Sequence, residues 1–505
     1  MIQFAGYDNG IYTNAAWQMH LGIRPYQEMI GGLPPLFLMG AKWAFDWFGV
    51  QWFSLVKMGG LFAAVALLVH AGLLSRIMGC WWGLLLACFT QAVTSLPTSC
   101  WSHDWTSAVV ATVFYTAVLV WRAHADRLGL IAVFFIGVVL LLSKANYAGV
   151  FFVLALMGLI AADLSAPKIG TLKNLVLFGS MVPAAVAALL ACHISILALL
   201  RNYREAGVRV QSGGQTIQRL FLNQPWEVKQ TAALLLPALI CVAYLCSRWC
   251  AVRRDADSFF LTVHISRQDA AWLSLLAIGV PAAVIAMATN TTFWMVELPP
   301  AMVSLACLYA MFRDSRWTWF RRLAAGGLLF SVAAISGNAI RVSVTRYTQA
   351  EHFEGNFYDA HTLTSISAWP YFNGLMAGPK LMVALHDMQG VLRNQGYLGN
   401  PNAKVYIGPR IDFGYAVFGI KPVRGLPLWW DLYRNPDLPQ TQLMVERFKQ
   451  AGFERIILLE NDQTFFPATL IGYIDSSYQP STIGLLTVYR RSPKPRASLG
   501  WELAP

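Results

Sequence analysis

The sequence predicts a polytopic α-helical membrane protein of about ten spans plus interfacial helices, with a small C-terminal α/β extramembrane domain. Three observations predict it. The 505 residues are 56% hydrophobic and only 13% charged, where a soluble globular chain carries roughly 25% charged residues, and mean hydropathy is +0.48. Apolar runs of membrane-crossing length recur up to about residue 340. Beyond residue 350 the runs shorten, Gly, Pro, Asn and Asp punctuate them, and strand-like and helix-like patterns alternate.

The elements follow in order. The chain opens on a polar, acidic stretch, YDNGIY (7–12), read as a turn rather than a membrane helix. LPPLFLMGAKWAFDWFG (33–49) is too short to cross, carries Lys42 and Asp46, and interleaves aromatics with charge. It predicts a helix lying on the membrane. Ten spans are expected at 51–75, 77–96, 105–121, 128–143, 147–163, 174–200, 229–247, 270–288, 293–312 and 321–340. In the C-terminal part, KVYIG (404–408), ERIILLE (454–460) and GLLTVYRR (484–491) read as strands, and 378–396 and 440–452 as amphipathic helices. Strand alternating with helix implies an α/β domain of roughly 150 residues. The expected organisation is 1–50 an outer loop with interfacial helices, 51–345 the transmembrane helices, and 346–505 the extracytoplasmic α/β domain.

The net charge of +12 is a membrane signature and not a nucleic-acid one, because Lys and Arg collect in alternate loops. Arg76, Arg122, Arg127, Lys168, Lys173, Arg248, Arg253, Arg254, Arg267, Arg313, Arg316, Arg321 and Arg322 all fall in one set of connections, which is therefore cytoplasmic. The eight cysteines lie before residue 310, mostly in apolar runs and never in a metal-ligand or CxxC spacing, so neither a disulfide framework nor a cysteine metal site is implied. Parity then places residues 1–50 and the C-terminal part together outside the cytoplasm. No span precedes Asp8 to carry it there, which predicts an apolar segment upstream of this sequence.

The non-cytoplasmic side gathers the chemistry-bearing residues: Asp8, His103, Asp104 and Lys144, with Lys57 near the outer end of the first span. The long loop 201–229 adds Arg201 and Arg204 against the charge trend, for which an anionic ligand is one reason and lipid head groups another. Carboxylates beside cations are what sugar transfer from a lipid phosphate needs. A carboxylate takes the proton of an attacking hydroxyl, and cations hold the departing phosphate. Each residue also has a plainer reading. Asp8 could form an Asx turn before Gly10, Asp104 could cap a helix, Lys57 and Lys144 could snorkel, and His103 could be an interfacial residue. Glu297, near the outer end of a span, is costly in lipid and so a functional candidate, or it pairs with an outer-loop Arg. GPRIDFGYAVFG (408–419) is either a structural turn or part of an acceptor cleft.

YDNGIYTNAAWQMHLGIRPYQEMIGGLPPLFLM resembles the first outer loop of the glycosyltransferase C superfamily, which includes protein O-mannosyltransferases and lipid A aminoarabinose transferases. Asp8, Gly10, Tyr12, Pro25, Tyr26, Glu28, Pro34, Pro35 and Leu36 carry the likeness. Lys57, SHDWTS with Asp104, and SKANYAGVFF with Lys144 continue it to about residue 165. The family turn often reads Asp-Glu, whereas Asn9 stands here. Asp8 is then the sole acid of the turn, and a divalent cation is left open. The resemblance implies an integral glycosyltransferase of the bacterial inner membrane, active on the periplasmic side, that moves a sugar from a polyprenyl-phosphate donor to an extracytoplasmic acceptor. In that reading Asp8 is the general base and Asp104 a second acid. Lys57, Lys144, Arg201 or Arg204 contact phosphate, and Tyr12, Glu28, His103 and Glu297 complete the binding surface. The competing expectations are a lipid or polysaccharide transporter or flippase, a polymerase or ligase with a diphosphate-linked donor, and a non-catalytic membrane subunit.

Overall fold

The structure, a computed structural model, describes residues 6–95, 101–124, 126–163, 169–207, 236–247, 293–348, 364–365, 368–377, 379–400, 402–409, 411–430, 438–460 and 462–492. The expected turn at 7–12 is instead the beginning of helix α1 (Gly6–His20). Ile11, Tyr12, Ala15, Ala16 and Met19 are all buried. Their helical spacing gives α1 an apolar face whose burial overrides the local Asn9–Gly10 turn signal. Gly22, at φ 73°, ends the helix, with the Ile23 amide reaching back to the Gln18 carbonyl at 3.0 Å. Helix α2 (Pro35–Phe48) starts on a proline and buries Phe37, Leu38, Ala41, Ala44 and Phe45. Its other face exposes Trp43 and Trp47, stacked at 5.8 Å.

The helical bundle comprises α3 (Trp52–Met78), α4 (Cys80–Ser95), α5 (His103–His124), α6 (Arg127–Leu141), α7 (Ala145–Asp163), α8 (Ile169–Ala191), α9 (Ile196–Gly207), α10 (Leu236–Ser247), α11 (Phe293–Asp314) and α12 (Thr318–Thr348). Four described stretches are long and apolar enough to cross a membrane: Trp52–Met78, His103–His124, Thr171–Ala191 and Thr318–Arg341. The span expected at 174–200 is corrected. α8 stops at Ala191, His193 adopts φ 57°, and the amphipathic α9 restarts beyond it. Ser195 ends the break with its hydroxyl 3.4 Å from the Ala198 amide. The expected span at 270–288 lies outside the described residues.

α5 is the centre of the bundle, packed against α3, α6, α7 and α11. Its residues from Trp105 to Val120 are all buried. The sequence permits this in part because its Ser and Thr hydroxyls satisfy themselves on the preceding turn, as Thr112 to Ala108 at 2.8 Å and Thr116 to Thr112 at 2.9 Å. Apolar tails compete equally for apolar side chains, so helix association in a bilayer relies on close backbone approach at small residues. At Gly83 a Cβ would lie 2.5 Å from the Ser75 amide, and at Gly137 it would lie 2.4 Å from Met181 Sδ.

The two ends of the bundle differ in character. At one end, Arg76 pairs with Asp126, His124 Nε2 lies 3.0 Å from the Arg76 carbonyl, and Arg122 pairs with Asp163 at 2.7 Å. Arg313 also reaches the Ile77 carbonyl there at 3.2 Å. The N-termini of α3, α5 and α7 stand at the opposite end, together with α1, α2 and α9 and the C-terminal α/β part. That part contains a two-stranded piece, β1 (Thr364–Ser365) with β2 (Met376–Ala377). It also holds a four-stranded sheet in the order β3 (Val405–Ile407), β4 (Arg455–Leu459), β6 (Leu486–Arg491), β5 (Tyr478–Ile483). β3 and β4 are parallel, and the remaining pairs are antiparallel. Helices α13 (Pro379–Asn394), α14 (Gly414–Val417), α15 (Pro439–Ala451) and α16 (Ala468–Ser477) accompany the sheet. β5 escaped the sequence reading because only Tyr478 of its six residues is buried, so it shows no inward–outward alternation.

The α1–α2 loop binds directly to the C-terminal part. The Leu428 amide donates to the Ile30 carbonyl at 2.8 Å and the Gly425 amide to the Glu28 carbonyl at 2.5 Å. Tyr26 folds this loop, its buried hydroxyl donating to the Leu33 carbonyl at 2.6 Å, with its backbone held at φ 65°.

Candidate functional site

The site forms where α1 crosses the first turn of α5. Trp101 fixes the entry to α5. Its amide donates to the Leu55 carbonyl at 3.1 Å and its indole N–H to the Phe37 carbonyl at 2.9 Å. Its ring lies so close to Gly40 that a Cβ there would come within 2.3 Å. The next turn presents His103 and Asp104, the latter in the first turn of α5, where the helix dipole favours a carboxylate.

Four predicted side chains meet there. Tyr12 Oη and His103 Nδ1 hydrogen-bond at 2.9 Å. His103 Nε2 stands 3.7 Å from Asp104 Oδ2, and Lys144 Nζ donates to Asp104 Oδ1 at 2.7 Å. The rings also pack: Tyr12 on Phe37 at 4.9 Å, and Tyr12 edge-on to His103 at 5.6 Å. Ser107 joins the strands of this network, accepting the Lys144 amide at 3.0 Å and donating to the His103 carbonyl at 2.6 Å. The Asp104 and Lys144 side chains are 25% and 22% exposed. They are ordered by neighbours yet open to a ligand. A carboxylate, an ammonium and an imidazole linked to a phenol can together accept a proton, hold an anion and orient a hydroxyl.

The other predicted residues take distinct places. Asp8 is in the first turn of α1, one turn before Tyr12 and on the same helical face; its side chain lies outside the described residues, as does that of Glu297 in the first turns of α11. Lys57 is exposed near the start of α3, with its ammonium 5.7 Å from the centre of the Phe48 ring. Arg201 and Arg204 are exposed on α9. Asn202 between them is buried and donates to the Gly31 carbonyl at 2.6 Å, which anchors α9 to the α1–α2 loop. Glu28 accepts the Arg24 amide at 3.0 Å and pairs with Arg424 at 2.6 Å. Its carboxyl is held below the ordinary value of 4.5, first by that amide and then, against a desolvation cost, by Arg424.

Sequence reasoning missed a second polar cluster behind α1. Asn14 Nδ2 donates to Asp412 Oδ2 at 3.1 Å, and Gln18 Nε2 donates to Asn14 Oδ1 at 3.1 Å. Thr13 Oγ1 meets the Tyr371 hydroxyl at 2.7 Å, and Trp17 donates to the Ile420 carbonyl at 2.8 Å. The available signal was Asn14 and Gln18 at i, i+4, a pairing visible only once 6–20 is read as a helix. Among the described residues no group of three or more His, Cys, Asp and Glu side chains is gathered as for a metal ion.

The chain is similar to two crystal structures of ArnT from Cupriavidus metallidurans. The structure bound to undecaprenyl phosphate is 12% identical, with 96% of this chain and 94% of that chain covered and a TM-score of 0.46. The apo structure is 14% identical, with 97% and 94% covered and a TM-score of 0.46. No protein-family model and no curated protein matches the chain.

Proposed function

We propose that the protein is an integral-membrane glycosyltransferase of the bacterial inner membrane that moves a sugar from a polyprenyl-phosphate donor to an extracytoplasmic acceptor. The Tyr12–His103–Asp104–Lys144 cluster carries this reading. It joins acid, cation and imidazole at one end of an apolar bundle, where a lipid-borne phosphate and a water-borne hydroxyl can both arrive. In this reading Asp8 removes the proton of the acceptor hydroxyl as that oxygen attacks the anomeric carbon. Lys144 serves the leaving phosphate, with Asp104 holding its ammonium in place. Lys57, Arg201 and Arg204, exposed at the same end of the bundle, draw the anionic donor toward the site. The membrane part has about ten spans within 51–345, and both the site and the 346–505 domain face the periplasm.

The test is transfer of labelled sugar from a panel of polyprenyl-phosphate sugars to endogenous acceptors, with wild type and Asp8→Asn side by side. Transfer by wild type that falls about 10²–10⁴-fold in Asp8→Asn matches loss of a general base. Equal transfer by both proteins removes Asp8 from the mechanism. Absence of donor cleavage across the panel removes the glycosyltransferase reading.

A further inference from the structure

Asp412 lies in the loop between β3 and α14, is 4% exposed, and faces a cavity of about 20 Å³ lined by Asn14, Gln18, Tyr406 and Tyr415. That volume holds about one water. One carboxyl oxygen, Oδ2, accepts the Asn14 amide. The other, Oδ1, is buried with no hydrogen-bond partner. Asn14 and Gln18 belong to α1, the helix that carries Asp8 and whose Tyr12 holds His103. A buried acid with one oxygen unsatisfied is an expensive way to glue two elements, when an Asn could make the same bond.

We infer that Asp412 is a positioning residue, through which the C-terminal α/β part sets α1 against the first turn of α5. It does so as the neutral acid, Oδ2 accepting from Asn14 and the proton on Oδ1 pointing into the cavity. The inference rests on the proposed glycosyltransferase site for its effect on turnover, but not for its effect on the docking of α1.

The surroundings favour the neutral form. Burial raises the Asp412 carboxyl to about 8, with Asn14 and then the backbone amides of Asp412 and Phe413 acting the other way. The titratable groups facing it among the described residues are the Tyr406 and Tyr415 hydroxyls, both raised by burial, with Asp462 beyond Tyr406. Its neighbours on α1, Asn14 and Gln18, carry no charge. Because the docked state keeps its proton between about 4 and about 8 while an undocked Asp412 loses it near 3.8, docking weakens as pH rises through that window.

The experiment uses the full-length protein in nanodiscs, as wild type, Asp412→Asn and Asp412→Leu. Two quantities are read from pH 6 to 9: amide hydrogen exchange of α1, and kcat and KM for sugar transfer. Wild type should lose protection of residues 11–18 and lose kcat as pH rises. Asp412→Asn should keep both at pH 7 and flatten their pH dependence. Asp412→Leu should lower kcat by up to about 100-fold, as for a misplaced catalytic group, with KM little changed. An Asp412→Asn protein with the wild-type pH profile overturns the inference, as does an Asp412→Leu protein with wild-type exchange at α1. Failure of wild type to transfer sugar, with the exchange pattern as described, sinks the glycosyltransferase reading alone.

Discussion

At the scale of residues, the Asp104–Lys144 pair is where geometry and chemistry coincide. Each side chain is about a quarter exposed, so solvent screens the pair and its contribution to stability is about 1 kcal/mol or less. Its effect on turnover should be much larger, because cations aimed at a developing charge act where water is partly excluded. Lys144→Ala and Asp104→Asn are therefore expected to unfold near the wild-type temperature while losing about 10²-fold or more in kcat. Thermal unfolding in detergent beside single-turnover sugar transfer measures both. A large drop in unfolding temperature with proportionate activity would make the pair a structural brace. The residue types of this cluster were legible in the sequence, since Tyr12, His103, Asp104 and Lys144 share a side of the membrane by parity. Their contact was not legible, because 91 residues separate Tyr12 from His103 and no local pattern encodes such a distance.

At the scale of elements, small residues decide which helices can touch. Gly83 sits where α4 meets α3, a Cβ there lying 2.5 Å from the Ser75 amide and 2.7 Å from its Cα. Backbone cannot yield as a side chain can, so Gly83→Val should separate the two helices and destabilise the bundle by about 1–3 kcal/mol. Gly149 in α7 has nothing within 4 Å of its Cβ position, so Gly149→Ala should be neutral or stabilising by up to about 1 kcal/mol. Steric trapping or detergent unfolding of the two variants checks the contrast, and equal behaviour would refute the close-approach account. Hydropathy located α3, α4, α5 and α6 within a few residues. It failed at 174–200, where apolar content continues through a break made by His193 and closed by Ser195. A sliding apolar average does not register one left-handed residue.

At the scale of the whole molecule, the N-terminal region and the C-terminal α/β part behave as one interface, built from the Ile30–Leu428 and Glu28–Gly425 backbone bonds, the Asn14–Asp412 contact and the Glu28–Arg424 ion pair. The ion pair is the exposed member. Because Glu28 is held below its ordinary value, its stabilising effect is present above that value and fades as pH falls through the lowered one. Arg424→Ala should cost only about 0–1 kcal/mol at pH 7, and the difference from wild type should shrink as pH falls from neutral through the lowered value. Limited proteolysis of the C-terminal part at pH 7 and pH 4 follows this directly, and a cost that persists in acid would place the effect in packing rather than charge.

By itself the sequence determined the apolar helices, the charge asymmetry of their loops, the α/β character of the C-terminal part and the residue types available for chemistry. All of these are local sums of hydropathy, charge and periodicity. Only the tertiary structure decided that YDNGIY opens a helix, that Tyr12 reaches His103, and that the GPRIDFG loop brings Asp412 onto α1. Those outcomes depend on helix packing and on buried polar groups finding partners hundreds of residues away, which short-range pattern does not contain.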